Sequence, residues 1–140
     1  MMTKPYTGGC MCGAVRYEIP TEPVFSNHCQ CRQCQHKSGT GHGSYLSFVG
    51  RQDVQLSGKA TTWDMVADSG KVKTRSFCPT CGSPVYQTYP AMPDVITVHA
   101  ASLDEPERFQ PQVVTYASRG HGWDQLDPAL TKFEKMPPSS

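Results

Sequence analysis

Seven cysteines in 140 residues, and the way they are spaced, restrict this chain more than any other feature. His28-Cys29-Gln30-Cys31-Arg32-Gln33-Cys34 places three sulfurs within six residues. A C-x-C pair on extended backbone sets both side chains on one side, and the following C-x-x-C folds the next turn back toward them. The three thiolates form a cup for one soft divalent ion. With no fourth cysteine nearby, a tetrahedral site of this kind keeps one position open to water or substrate, which suits catalysis, whereas a closed four-ligand site is structural. His36 or His42, on a glycine-rich stretch (Gly39, Gly41, Gly43) that can reach back, would close the cup with a nitrogen. His28, next to Cys29, should point to the opposite face of an extended strand.

Phe77-Cys78-Pro79-Thr80-Cys81-Gly82 has the chemistry of a zinc knuckle: two sulfurs flank a turn in which Pro79 fixes one backbone angle and Gly82 lets the chain pass the metal. A knuckle needs two more ligands. The Cys29 to Cys34 loop uses its own three, so subtraction leaves Cys10 and Cys12. A site of Cys10, Cys12, Cys78 and Cys81 would tie the first strand to the middle of the chain, closing a long loop whose entropy cost metal binding offsets. Two other readings stay open, an iron-sulfur cluster on some other grouping of cysteines or redox action by Cys78-Pro79-Thr80-Cys81. The redox motif requires a strand leading into a helix. Pro84 and the strand-like Val85 to Tyr89 oppose that.

Length fits one domain spanning 1–140, with a core at about 8–135 and a flexible tail from Met136 to Ser140. Apolar content is modest, at 37%, so metal staples would help the fold. Net charge is +1 with no long run of Lys or Arg, which removes the electrostatic footprint of a nucleic-acid binder. The first residues lack an apolar signal core and no eighteen apolar residues run together, so a soluble, non-exported, cytoplasmic chain with no membrane partner is expected. There, an odd set of cysteines serves as reduced thiols, nucleophiles or metal ligands rather than disulfides.

Alternation marks the expected strands. Val15, Tyr17 and Ile19 alternate with Arg16 and Glu18 up to Pro20. Further strands are expected at 44–50, 54–58, 61–66, 71–77, 84–89, 94–100 and 113–116, with 54–58 and 61–66 pairing through a turn near Gly58 and Asp68-Ser69-Gly70 forming a tight turn. Gly39, Gly41 and Gly43 are not a phosphate loop, because no Lys-Ser, Lys-Thr or helix pattern follows. Lys71, Lys73 and Arg75 share one strand face, which reads as solvated in preference to a basic surface beside the metal loop. His99 lies in an apolar strand and reads as a core histidine before a ligand. Asp104 to Glu107 forms a turn or one short helical turn. Leu126, Leu130 and Phe133 have helical spacing, but Pro128 permits at most a short helix between Trp123 and Lys135.

Three motifs in order carry a family likeness: Gly9-Cys10-x-Cys12-Gly13-x-Val15-Arg16-Tyr17, then Cys29-x-Cys31-Arg32-x-Cys34 with Ser38-Gly39, then Phe77-Cys78-x-x-Cys81-Gly82-Ser83-Pro84-Val85. Over roughly residues 8 to 100 the chain resembles the glutathione-dependent formaldehyde-activating enzymes. The resemblance implies a mainly β, β-tent fold of small antiparallel sheets, a structural zinc at Cys10, Cys12, Cys78 and Cys81, and a catalytic zinc at Cys29, Cys31 and Cys34. It also implies a carbon-sulfur lyase that makes S-hydroxymethylglutathione from glutathione and formaldehyde, so that a small-molecule thiol such as glutathione is the expected partner. Lys73, Arg75 or Arg32 are candidates to pair with that substrate's carboxylates. Two rivals remain: a non-enzymatic zinc module for a protein partner, closed by His36 or His42, and a thiol redox or metal sensor at the Cys29 loop.

Overall fold

The computed structural model describes residues 4–138; Ser139 and Ser140 of the expected tail lie outside them. The chain is mainly β, in the manner expected. Tyr6–Gly9 (β1) and Arg16–Ile19 (β2) form an antiparallel hairpin, in which Tyr17 and Ile19 turn inward and Glu18 outward. Gln55–Ser57 (β5) pairs with β2 to complete a three-stranded sheet.

The second sheet has eight strands. Its centre is Gly43–Val49 (β4) against Val95–His99 (β9), antiparallel, with Tyr45 opposite His99 and Phe48 opposite Ile96. On one side of that pair come Phe25–Cys29 (β3), Val113–Thr115 (β10) and Thr131–Lys132 (β11). On the other come Pro84–Thr88 (β8), Val72–Phe77 (β7) and Thr61–Val66 (β6). β10 runs parallel to both β3 and β11, so the larger sheet is mixed. The main core joins inward residues of both sheets, Ile19, Leu46, Phe48, Val85, Ile96 and Val98 among them, all without solvent exposure.

The structure departs from the sequence reading in two places and, between Trp123 and Lys135, stays within the limit of at most a short helix; each outcome has a physical cause. The hairpin of 54–58 with 61–66 does not form: β5 pairs with β2, and β6 pairs with β7. Gly58, at φ 82°, passes so close to Ala14 that a Cβ there would stand 1.7 Å from its carbonyl oxygen, so the chain leaves β5 toward the first sheet's turn instead of doubling back on itself. No helix forms between Trp123 and Lys135; Asp127 caps the Ala129 amide in a turn around Pro128 (2.9 Å), and the segment ends in β11. Arg32–Ser38 is the one α-helix (α1) among the described residues, begun by Cys31, whose sulfur accepts from the Cys34 amide, and ended by Gly39 in the left-handed region. The second half of the three-cysteine motif is therefore a helix first turn, entered from a strand whose polarity, Ser26-Asn27-His28, hides its buried role.

Candidate metal centres and active site

The first cluster joins two turns of like construction. In the β1–β2 turn the Cys10 amide donates to the Val15 carbonyl (3.0 Å), and the Val15 amide donates to the Cys10 sulfur (3.2 Å). In the β7–β8 turn the Cys78 amide donates to the Ser83 carbonyl (3.0 Å), while the Thr80 and Cys81 amides donate to the Cys78 sulfur (3.3 and 3.5 Å). Gly13 and Gly82 take positive φ in the two turns, at 83° and 77°, where a side chain is strained. The four ligand sulfurs of Cys10, Cys12, Cys78 and Cys81 all lie within 4.8 Å of one another.

Cys10 and Cys12 stand 3.6 Å apart, as do Cys12 and Cys78. Two sulfurs each about 2.3 Å from one tetrahedral ion are separated by about 3.8 Å, so the set fits a metal. Amides aimed at sulfur favour the thiolate. The Ser83 hydroxyl does the same at Cys81, helping to push its thiol down to about 5.

The second cluster is local and buried. Cys29 ends β3, Cys31 caps α1 and Cys34 sits in its first turn, and their sulfurs lie within 4.8 Å of one another. All three are 9% exposed or less. The neighbouring Cys29 and Cys34 sulfurs push the Cys31 thiol well below its ordinary value, and the same proximity pushes Cys29 up. Three soft donors in one cup with a readily formed thiolate suit a soft divalent ion. Both clusters can therefore bind metal.

Histidine does not join the second group. His42 Nδ1 bonds the Asp124 carboxylate (2.9 Å), and His36 Nε2 meets Arg32 (3.3 Å). His28 turns to the other side, where its Nδ1 bonds Ser44 (2.8 Å) and its ring packs edge-on against His42 and Phe109. His99 is buried, its ring centroid 5.1 Å from that of Tyr45 in an edge-on arrangement.

Beside the cup is a cleft of about 50 Å³ lined by Cys31, Arg32, Lys73, Asp68, Tyr116 and Arg119, together with Gln33 and Ala67. Its far wall is carried by the loop after β10. Gln35 of α1 holds that loop by donating to the Arg119 carbonyl (3.1 Å) and meeting His121 (2.9 Å), and Gln30 donates to Asp124 (3.1 Å). A separate cleft of about 560 Å³ runs past Cys10, Arg16, His42, His99 and Asp104, and its lining includes none of the three cup cysteines.

The basic strand face departs from the solvated reading at two of its three positions: Lys73 and Arg75 are half-buried and only Lys71 is exposed. Lys73 reaches the cleft; Arg75 instead lies over Phe77 (5.6 Å). Arg119 and Tyr116 escaped sequence reasoning because nothing local in Thr115-Tyr116-Ala117-Ser118-Arg119 connects them to a motif some 85 residues earlier. Lys37 and Tyr45 did carry a signal, Lys37 standing one helical step beyond Cys34 and Tyr45 in the strand paired with β3.

The family model for glutathione-dependent formaldehyde-activating enzymes matches residues 5–119. The chain belongs to this family. A Halomonas elongata protein provisionally named a glutathione-dependent formaldehyde-activating enzyme is 29% identical over 111 residues, covering 72% of this chain and 70% of that protein. A crystal structure of a Rhodobacter sphaeroides protein superposes with a TM-score of 0.58 at 21% identity, over 78% of this chain and 99% of that one, which supports the fold of this family member. No helix among the described residues is long and apolar enough to cross a membrane.

Proposed function

We propose that this chain is a zinc-dependent enzyme of the carbon-sulfur lyase type, joining a glutathione-like thiol to a small aldehyde such as formaldehyde to give an S-hydroxymethyl adduct. Cys10, Cys12, Cys78 and Cys81 hold a structural zinc, and Cys29, Cys31 and Cys34 hold the catalytic one. The observation that carries this reading is a buried three-sulfur cup with no fourth donor in its group among the described residues, meeting a cationic cleft at Cys31. Family membership supports the substrate class, and seven free thiols suit a cytoplasmic setting and a single domain built on reduced cysteine.

Zinc in the cup would lower the pKa of an incoming thiol and hold its sulfur as thiolate. The protein's part is placement. Arg32, Lys73 and Arg119 line the mouth, and only Asp68, paired with Arg119 at 3.3 Å, offsets them, so a thiol bearing carboxylates is drawn in sulfur-first. Tyr116 packs against the cup and limits water there. In the reaction the thiol sulfur bonds the aldehyde carbon, and the thiol proton ends on the former carbonyl oxygen.

The test is the rate of adduct formation between glutathione and labelled formaldehyde, followed by NMR, with zinc-loaded protein. A rate above the uncatalysed one is expected, with Arg119→Ala raising KM several-fold and leaving kcat nearly unchanged, the signature of lost uniform binding. A fully loaded protein that adds nothing to the uncatalysed rate overturns the substrate assignment.

A further inference from the structure

Lys37 is out of place by ordinary rules. It is 7% exposed, yet among the described residues it has no carboxylate partner. Its ammonium donates to the Gln87 side chain (2.7 Å) and lies over the Tyr45 ring (4.7 Å), which leaves other donor hydrogens unused. Burying an ammonium without an anion is strongly unfavourable. A methionine of similar shape would avoid that cost, so the charge calls for an anion.

The surroundings repeat the pattern. Arg75 stands opposite Gln87 in the β7–β8 register and has a buried Nε with no partner. Lys73, on the same strand face, is half-buried at the cup's mouth. The Tyr45 hydroxyl is buried without a partner, and Tyr45 belongs to the same buried cluster as the three cysteines. Lys37, Lys73 and an unsatisfied hydroxyl thus stand at one cluster. The three cysteines are the anions available to them, and Cys34 lies three residues before Lys37 on one face of α1.

We propose that Lys37, supported by Lys73, is the built-in counter-charge of the Cys29, Cys31 and Cys34 cup, and that Tyr45 offers its hydroxyl to the same sulfurs. This rests on the reading that the cup holds a divalent ion. Three thiolates and a divalent ion sum to −1, and the Lys37 ammonium brings the buried group to neutrality. A neutral centre accepts an anionic thiol far better than one already negative. Burial, with Lys73 and Arg75 nearby, lowers the Lys37 pKa from its ordinary value, and the negative charges of Cys34 and Cys31 oppose that shift. Lys37 is a positioning residue, acting through the cysteines.

The experiment loads Lys37→Met, Lys37→Arg and Lys73→Met with Co²⁺. Chelator competition and the sulfur-to-cobalt absorption bands then report each ion separately, the four-cysteine site serving as an internal reference. Lys37→Met should weaken binding at the cup at least about ten-fold, the scale of outer-shell changes, while the reference site stays within two-fold. Lys37→Arg should recover most of the loss, and Lys73→Met should lose a few-fold. Cup affinity unchanged in Lys37→Met, or equal losses at both sites, overturns the proposal. If Lys37→Met does not fold, Lys73→Met decides by the same criteria. A wild-type cup that takes up no Co²⁺ sinks this inference and the catalytic site together. Intact counter-charge behaviour without adduct formation sinks only the proposed reaction.

Discussion

The quartet gathers sulfurs from two arms at least 66 residues apart along the chain, Cys12 to Cys78, whereas the trio gathers its three within six residues at a strand end. The two clusters also differ in burial: Cys12 and Cys81 are exposed, but every trio sulfur is buried. Closing a long loop is the costly kind of contact, so an ion that closes it contributes to folding itself. A cup preformed by β3 and α1 demands little closure. Its burial beside Lys37 and Lys73 suits the chemistry proposed for it.

The largest effect expected from this contrast comes from paired serine substitutions. Cys78→Ser removes a fully buried sulfur that accepts from two turn amides, and should cost several kcal/mol or abolish folding, as loss of a structural zinc does. Cys31→Ser should leave the far-ultraviolet circular dichroism and most of the thermal stability intact while removing metal from the cup and activity with it. Equal loss of stability in the two variants would erase the division between staple and site.

Acid sharpens the same comparison. Burial pushes His28 down to about 4 and His99 down to about 3, and both lie in strands that pair with β4 at the trio's end of the large sheet. Unfolded histidine titrates near 6.5. Between there and about 4 the unfolded chain binds protons that the folded chain refuses, so stability falls as pH drops through that window, with His99 extending the fall to about 3. Above about 6.5 both states are neutral and the contribution vanishes. Denaturation midpoints between pH 7.5 and 4.5 should slope less in His28→Gln than in the wild type, with acid loss of metal common to both. Parallel slopes would remove His28 from the account.

The smallest effect belongs to the quartet's own surroundings. Arg16 and Asp104 pair at the surface beside Cys10, with side chains 39% and 43% exposed. Asp104→Asn should therefore change stability by less than about 1 kcal/mol in urea titrations. A loss several times larger would mean that ion pairing shares the stapling role assigned to the sulfurs.

Local spacing was enough to recover both sulfur groupings, because ligand geometry needs only a few residues per arm, and each arm here is one turn. It also recovered most strands, because a half-buried strand writes its burial into alternation, as Tyr17 and Ile19 do. What escaped depended on long-range packing. Nothing local in Gln55-Leu56-Ser57 says that this strand joins β2, since either partner satisfies its backbone; the close approach of Gly58 to Ala14 selects one. Arg32–Ser38 carries too few apolar residues to announce a helix, and its start is a cysteine cap that matters only once β3 is in place. The sequence by itself determined which sulfurs can share an ion. Tertiary structure alone decided which cations face them, because the field at Cys31 is assembled from α1, β7 and the loop at Arg119, three segments that meet only when the large sheet has formed.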